Sequence, residues 1–229
     1  MEYKKLAKYY DAFYYKKDYI KEVEFLRNFI KSDDEVIDIG CGTGIHASIL
    51  EKDNKIVDGL DLNEEMIKIA KTRLKGTLYK QNMLNIKINK KYDVIISMFA
   101  VINHLNSINE LEIVLNNFNN ILKEEGLIIL DLHNPSSSGS KTDNIDNMKR
   151  TMTWNFDKIN NIETTEIIYE IDNEIYKDKH IFKIFTIDEI KEITKKVGLE
   201  VENIYENYDI NKNGNNNSKN LQFIIKKTY

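Results

Sequence analysis

The chain has 229 residues, 41% of them hydrophobic and 31% charged, a balance that suits a globular protein with one well-buried core. A formal net charge of -4 leaves no broad basic field to hold a phosphate backbone, and a single cysteine, Cys41, excludes an intrachain disulfide. The stretch from Met1 to Ile20 lacks the apolar run of a signal peptide, and no segment approaches the ~20 apolar residues of a membrane span, so the expected setting is the cytoplasm, without membrane or nucleic-acid partners.

From Tyr3 to Ile30 the apolar and aromatic residues recur at helical spacing (Leu6, Tyr9, Tyr10, Phe13, then Ile20, Val23, Leu26, Ile30), which predicts two helices packed on the front of a domain. Glu35 to Ile39 reads as a short buried strand ended by Gly40, and Thr43 to Lys52 as a helix. Lys55 to Leu60 is a second strand, followed by a helix from Glu64 to Arg73 with Asn63 as its N-cap. A third strand lies near Thr77 to Lys80. The fourth, Tyr92 to Met98, is almost wholly apolar, as expected of a strand buried on both faces. Glu110 to Leu122 is a helix and Gly126 to Leu132 a fifth strand. This alternation implies a doubly wound, Rossmann-like α/β fold with a largely parallel sheet.

The pattern then changes. Asn134 to Lys149 is polar and reads as a mobile loop, expected to order when a ligand binds. Asp172-Asn173 marks a hairpin turn between Glu166 to Ile171 and Glu174 to Ile184, which predicts a small antiparallel layer inserted after strand five. Thr186 caps a helix through Val197, and Gly198 ends it. Val201 to Tyr205 and Leu221 to Lys227 close the sheet, while Asn211 to Asn220 reads as disordered. The domain reading is a core of 1–132 and 186–229 with an acceptor-side insertion at 133–185.

The strongest local signal is Asp38-Ile39-Gly40-Cys41-Gly42-Thr43-Gly44, between a strand and a helix. Glycines there let the backbone turn sharply and approach a ligand. A dinucleotide fingerprint needs its third small residue where this chain has Ile45; here it falls one earlier, at Gly44. The tighter loop suits S-adenosylmethionine (SAM), which has no pyrophosphate to cradle. Asp61 follows Gly44 by 17 residues, and a carboxylate at that strand end can accept from both ribose hydroxyls. Asp38 is read mainly as a brace that accepts loop N–H bonds, with a contact to the SAM amino group beside it. Cys41 reads as a small filler. Asn82 and Met83 either bind adenine through side chain and amide or form a plain turn. Leu62 and Met98 either sandwich the ligand or are ordinary core. No metal ligand set is present.

With these residues in place the chain resembles the class I SAM-dependent methyltransferases, and within them the sugar N,N-dimethyltransferases that finish amino sugars such as desosamine and mycaminose. The resemblance covers nearly the whole chain. It rests on Tyr10-Asp11, Lys17-Asp18-Tyr19, Asp38 to His46, Gly59-Leu60-Asp61-Leu62, Gln81-Asn82-Met83, Met98 to Leu105 and Ile184-Phe185-Thr186. It implies a seven-stranded sheet and SAM as cofactor, with Tyr10 at the reaction centre and Tyr19 near the methionyl carboxylate. It also implies a small-molecule acceptor such as the amino group of a nucleotide-linked sugar, and a monomer or homodimer. Two departures stand out. Asn82 replaces an aspartate, and Leu132-His133-Asn134-Pro135 replaces an aromatic run facing the acceptor. His104, just past strand four, is the first candidate for a base or acceptor-orienting group, because imidazole titrates near neutral pH; His133 is the second. The competing readings are O-methylation of a surface-glycan precursor or other small phosphorylated metabolite, and a silent SAM-binding protein.

Overall fold

The computed structural model describes residues 3–228, with side chains from residue 6 onward. Helices α1 (Tyr3–Phe13) and α2 (Tyr19–Arg27) come first, as the helical spacing predicted. Asp18 ends the turn between them and caps α2 by accepting the Lys21 N–H at 3.0 Å. The core then alternates, with only a 3-10 turn between its third and fourth strands: β1 (Val36–Ile39), α3 (Ile45–Leu50), β2 (Val57–Asp61), α4 (Glu64–Ala70), β3 (Leu78–Lys80), β4 (Tyr92–Ser97), α5 (Ile108–Ile121) and β5 (Leu122–His133). Asn63 caps α4 through Glu65 and Met66.

These strands belong to an eight-stranded sheet ordered β11-β10-β12-β5-β4-β1-β2-β3. β1 to β5 run parallel, β12 (Asn220–Lys227) pairs antiparallel with β5, and β10 (Leu199–Glu206), antiparallel to β12, returns to the direction of the first five. Seven strands match the expected doubly wound sheet, and the eighth is β11 (Asp209–Asn213). The sequence reading left Asn211 to Asn220 disordered. Instead β11 folds back on β10, and the asparagine-rich turn beyond it is held by Ser218, which accepts from Asn215 N–H at 3.0 Å. Local side-chain bonding of this kind gives a polar segment order without burying apolar surface.

Both faces of the sheet are covered. Ile95 of β4 joins a core with Leu111 and Phe118 of α5 and Ile190 of α6 (Ile187–Lys196); Val94 and Ile96 join a core with Val23 and Leu26 of α2 and Leu50 of α3. α6 begins with a full capping box, in which Thr186 and Glu189 satisfy each other's backbone N–H. Strand order reverses between β1 and β4, and in open α/β sheets ligands bind in the crevice beyond the strand ends at such a point. No helix among the described residues is long and apolar enough to cross a membrane.

The segment after β5 forms a second sheet, β6-β7-β8-β9, spanning β6 (Gly139–Ile145), β7 (Met148–Asp157), β8 (Ile162–Ile171) and β9 (Glu174–Lys183). The predicted turn at Asp172-Asn173 is present, with φ of 51° and 66° at its two central residues. The reading of Asn134 to Lys149 as a mobile loop is corrected: Gly139 to Ile145 pairs in full register with Met148 to Trp154. β6 is an edge strand with solvent on its outer side, so its polar residues hid it from hydropathy. One face of the sheet packs on α1, where Leu6 and Phe13 meet Ile167, Tyr169 and Ile171.

Candidate active site

The glycine loop follows β1 directly. Gly40, Gly42 and Gly44 have φ of 76°, 54° and 80°, a region that other residues enter only with strain. At Gly40 an added Cβ would lie 2.5 Å from Val101 Cγ2, whereas at Gly42 it would meet nothing within 4 Å. The loop is thus closed on one side by protein and open on the other, a cradle for a ligand. Gly44 stands at the N-cap of α3, so the helix starts later than predicted, at Ile45. Cys41 is buried, and burial raises its thiol pKa well above the ordinary value, consistent with a filler.

Asp61 ties this loop down. Its Oδ2 accepts the Gly42 N–H at 2.9 Å and its Oδ1 the Asn63 N–H at 2.7 Å. Burial raises its pKa, and those two donors together with the Leu62 N–H act in the opposite direction. The bracing expected of Asp38 is therefore performed by Asp61. Asp38 sits on a central strand below the loop, out of line with its N–H groups; its Oδ2 is buried without a partner among the described residues. Burial pushes its pKa up to about 7, with His46 lowering it and Asp61 and Asp131 adding to the rise. A buried carboxylate oxygen left unpaired beside an open glycine cradle fits a ligand that brings a cation.

The N-terminal helices are stapled to the loop. Asp11 accepts from Thr43 Oγ1 at 2.7 Å and pairs with Arg73, whose other nitrogen donates to Thr43 O at 3.1 Å. Glu22 pairs with Lys17 and meets His46 Nε2 at 2.7 Å. Burial alone would raise the Glu22 pKa, but His46 and Lys17 outweigh it and hold the carboxylate low. Tyr19 lies edge-on to His46, ring centroids 5.0 Å apart, and burial raises its phenol pKa.

Beyond β4, Phe99 and Ala100 are consecutive non-glycine residues with φ of 69° and 57°. Left-handed backbone of this sort costs roughly 1–3 kcal/mol per residue and persists only where the surroundings enforce it. The enforcing group is Asp131 at the end of β5, whose Oδ1 accepts the Ala100 N–H at 2.6 Å. Ala100 in turn starts a 3-10 turn from Val101 to His104. Within it Asn103 is buried and joins the ends of two strands, donating to His133 O at 3.2 Å and Lys183 O at 2.9 Å and accepting from His133 N–H at 2.9 Å.

His104 therefore faces the second sheet. Its ring centroid lies 4.7 Å from Phe182 and 5.6 Å from His180, both on β9. Crowding by protein atoms, together with His180, lowers its pKa to about 4. Its outer side stays open to solvent, which works against that depression; on either account the ring is predominantly neutral at pH 7. His180 is paired with Asp178 at 3.4 Å, and His133 with the buried Glu163 at 3.1 Å. Tyr10 and His180 line one narrow cavity with Leu6, Phe13, Tyr14 and Tyr169. His104 and His133 both lie against Phe182, and Tyr10 shares its cavity with His180. Asp178, Glu163 and His180 were not singled out, since strand alternation alone does not reveal which polar residue faces inward. Arg150 was also missed. It is buried, donates to Phe13 O at 3.1 Å and Asp143 Oδ2 at 2.8 Å, and lies over the Tyr14 ring at 4.8 Å, fastening α1 to the sheet.

After β3, Asn82 caps a short turn by accepting the Leu84 N–H at 2.9 Å, and Met83 O accepts from Asn117 at 3.0 Å. Leu62 is 64% exposed, whereas Met98 is 2% exposed within the α2/α3 core. Leu62 is therefore open to a ligand face, whereas Met98 packs in the core, the other of its two readings from sequence.

The model of the methyltransferase domain matches residues 10–204, and the chain belongs to that family. An uncharacterized protein of Methanocaldococcus jannaschii is 36% identical over 87% of this chain and 75% of its own length. The dTDP-3-amino-3,4,6-trideoxy-alpha-D-glucopyranose N,N-dimethyltransferase of Streptomyces venezuelae is 29% identical over 55% of this chain, which spans 56% of that relative's length. Among solved structures, a SAM-dependent methyltransferase from Clostridium acetobutylicum superposes with a TM-score of 0.85 at 20% identity, covering both chains fully. Streptomyces venezuelae DesVI gives 0.81 at 22% identity over 97% of this chain and 98% of its own. At these identities the structural likenesses establish the fold, that of class I methyltransferases. The chain is a SAM-dependent methyltransferase.

Proposed function

We propose that this enzyme methylates the amino group of a small nucleotide-linked amino sugar. The observation that carries the reading is the pair of buried carboxylates, Asp178 and Glu163, behind His180 and His133 on the side of His104 away from the glycine loop. Anionic groups among aromatic rings attract a basic amine as its ammonium, which releases its proton to solvent before the nitrogen lone pair attacks the methyl. The similarity to a sugar N,N-dimethyltransferase supports the same class. A hydroxyl acceptor would demand a stronger base than His104, whose pKa is held at about 4.

The roles follow from position. Gly40, Gly42 and Gly44 admit the cofactor; Asp61, with one lone pair left after its backbone bonds, accepts from the ribose. Asn82, Met83 and Leu62 border adenine. Asp38 receives the amino group and Tyr19 the carboxylate end. SAM, when bound, supplies an electrophilic methyl on a sulfonium. His104 and Tyr10 orient the acceptor nitrogen toward it and exclude water, which is most of what the protein needs to contribute. We assign the acceptor to the layer formed by 133–185 and the cofactor to 1–132 and 186–229, in a cytoplasmic enzyme that is a monomer or homodimer.

The test is incubation with SAM and dTDP-3-amino-3,4,6-trideoxy-α-D-glucose, followed by mass spectrometry and NMR of the product. Mono- or dimethylation at nitrogen is expected. Methylation at oxygen, or no turnover of any amino sugar in a panel, overturns the acceptor assignment.

A further inference from the structure

We propose that Tyr208 is a positioning residue for the cofactor, holding Asp131 in place as the anchor of the strained Phe99–Ala100 turn. Tyr208 lies beyond the residues matched by the family model, in the turn between β10 and β11. Its hydroxyl donates to Asp131 Oδ2, while its own N–H donates to Gln222 Oε1 at 2.7 Å. It sits at φ 56° after Asn207 at 54°, so the hairpin itself is bent to deliver this side chain. Asp131 is 4% exposed and spends its other oxygen on the Ala100 N–H, with the Phe99 N–H adding a further bond.

The turn so held touches the cofactor cradle on two sides. Val101, the residue after it, presses its side chain against Gly40, closely enough that a Cβ there would collide. Phe99 lies edge-on to Tyr14 with ring centroids 5.0 Å apart, and under Lys17 with Nζ 4.5 Å from the ring. A hydroxyl on a late hairpin thereby fixes both the floor of the glycine loop and the seat of the N-terminal helices. Only an ionised Asp131 accepts all these bonds at full strength. Burial raises its pKa, and the Tyr208 hydroxyl and the two backbone donors oppose that rise. The other charged groups around it are Asp38 on β1, His46 on α3, Glu22 on α2 and Lys17 ahead of α2, and both Asp38 and Glu22 act on it or with it electrostatically.

The inference rests on the cofactor and not on the acceptor assignment, so it is tested by binding alone. Calorimetry with S-adenosylhomocysteine measures Kd for wild type, Tyr208→Phe and Asp131→Asn at pH 8 and pH 6. Comparing each variant with wild type at the same pH removes only the contributions that the substitution leaves unchanged; Asp131→Asn also relieves the rise that Asp131 imposes on Asp38. Tyr208→Phe should bind about threefold more weakly than wild type at pH 8, where the bond to Asp131 is lost, and the ratio should grow at pH 6, because the hydroxyl no longer opposes the burial that raises the Asp131 pKa. Asp131→Asn should bind about tenfold more weakly at both pH values. A Tyr208→Phe ratio that is constant with pH makes Tyr208 a packing residue and overturns the proposal. So does wild-type affinity in Asp131→Asn, a result available even if Tyr208→Phe does not fold.

Discussion

Asp61 and Gly42 are joined across the mouth of the cofactor loop: the Gly42 N–H donates to Asp61 Oδ2 at 2.9 Å, so the residue expected to meet the ribose also shapes the loop that receives it. The two carboxylate oxygens offer four lone pairs, and the Gly42, Asn63 and Leu62 N–H groups leave one for a ribose hydroxyl. Asp61→Ala should weaken SAM binding by roughly 1.5–3 kcal/mol, the scale of hydrogen bonds to a charged group. Asp61→Asn should lose less, because its carbonyl can still take one of the backbone donors. Calorimetry on the folded variants decides this, and unchanged affinity in Asp61→Ala would assign the ribose to another group.

Asp38 predicts a pH dependence whose sign can be worked out. Its folded pKa is about 7 against an ordinary 3.8, so between those values the folded state holds a proton that the unfolded chain has released. Stability rises with pH only where the unfolded state binds more protons. The contribution is therefore fully present below about pH 4 and is lost as pH rises through about 7. Asp61 and Asp131 are shifted in the same direction. The ligand-free Tm attributable to these groups should fall from pH 5 to pH 7.5, and Asp38→Asn should remove part of that slope. If Asp38 pairs with the amino group of SAM, binding at pH 6 should release about one proton, measurable by calorimetry in buffers of different ionisation enthalpy. Equal heats across buffers would place the ammonium elsewhere.

The β6–β7 hairpin should be protected without any acceptor. Seven residue pairs from Gly139↔Trp154 to Ile145↔Met148 hold it, and Arg150 fastens β7 to α1. Amide exchange in residues 140–154 should be slow in the ligand-free protein and change little when acceptor is added. Fast exchange there that slows with acceptor would restore the segment as a lid.

What the sequence shows clearly is whatever the chain writes locally. Asp172-Asn173 demanded a turn, Thr186 and Glu189 a capped helix, and three spaced glycines a ligand loop, because each signal lies within a few residues of its effect. The supports of the site are written at a distance. Asp131 meets Ala100 across 31 residues, Asn103 meets Lys183 across 80, and Arg150 meets Phe13 across 137. No periodicity records such pairs. The edge strands β6 and β11 escaped for a different reason: with one side in water and short polar side chains, neither shows the alternation by which a half-buried strand is recognised. Asp38 lies on the strand that leads into the glycine loop, but the bracing assigned to it falls to Asp61, since spacing shows which residues lie near a loop and not which oxygen its N–H groups face.

His104 tests the chemistry of the acceptor side. With its pKa held at about 4 and a solvent-open outer side, the imidazole is mostly neutral at working pH and a weak acceptor of protons. A general base contributes roughly 10²–10⁴-fold, and His104→Ala should therefore cost kcat less than that range if the residue orients an amine that has already lost its proton. Cofactor affinity should be untouched, because the ring faces Phe182 and His180 rather than the glycine loop. The loss should shrink as pH rises, since neutral amine then becomes available without help; an alcohol acceptor, far from its own pKa, would show no such recovery. Steady-state kinetics of His104→Ala between pH 6.5 and 9, in parallel with SAM titrations, separates these cases. A loss of roughly 10²–10⁴-fold that does not recover with pH would make His104 the base itself, against its low pKa and against an amine acceptor. Wild-type kcat throughout would leave the task to Tyr10 and His133.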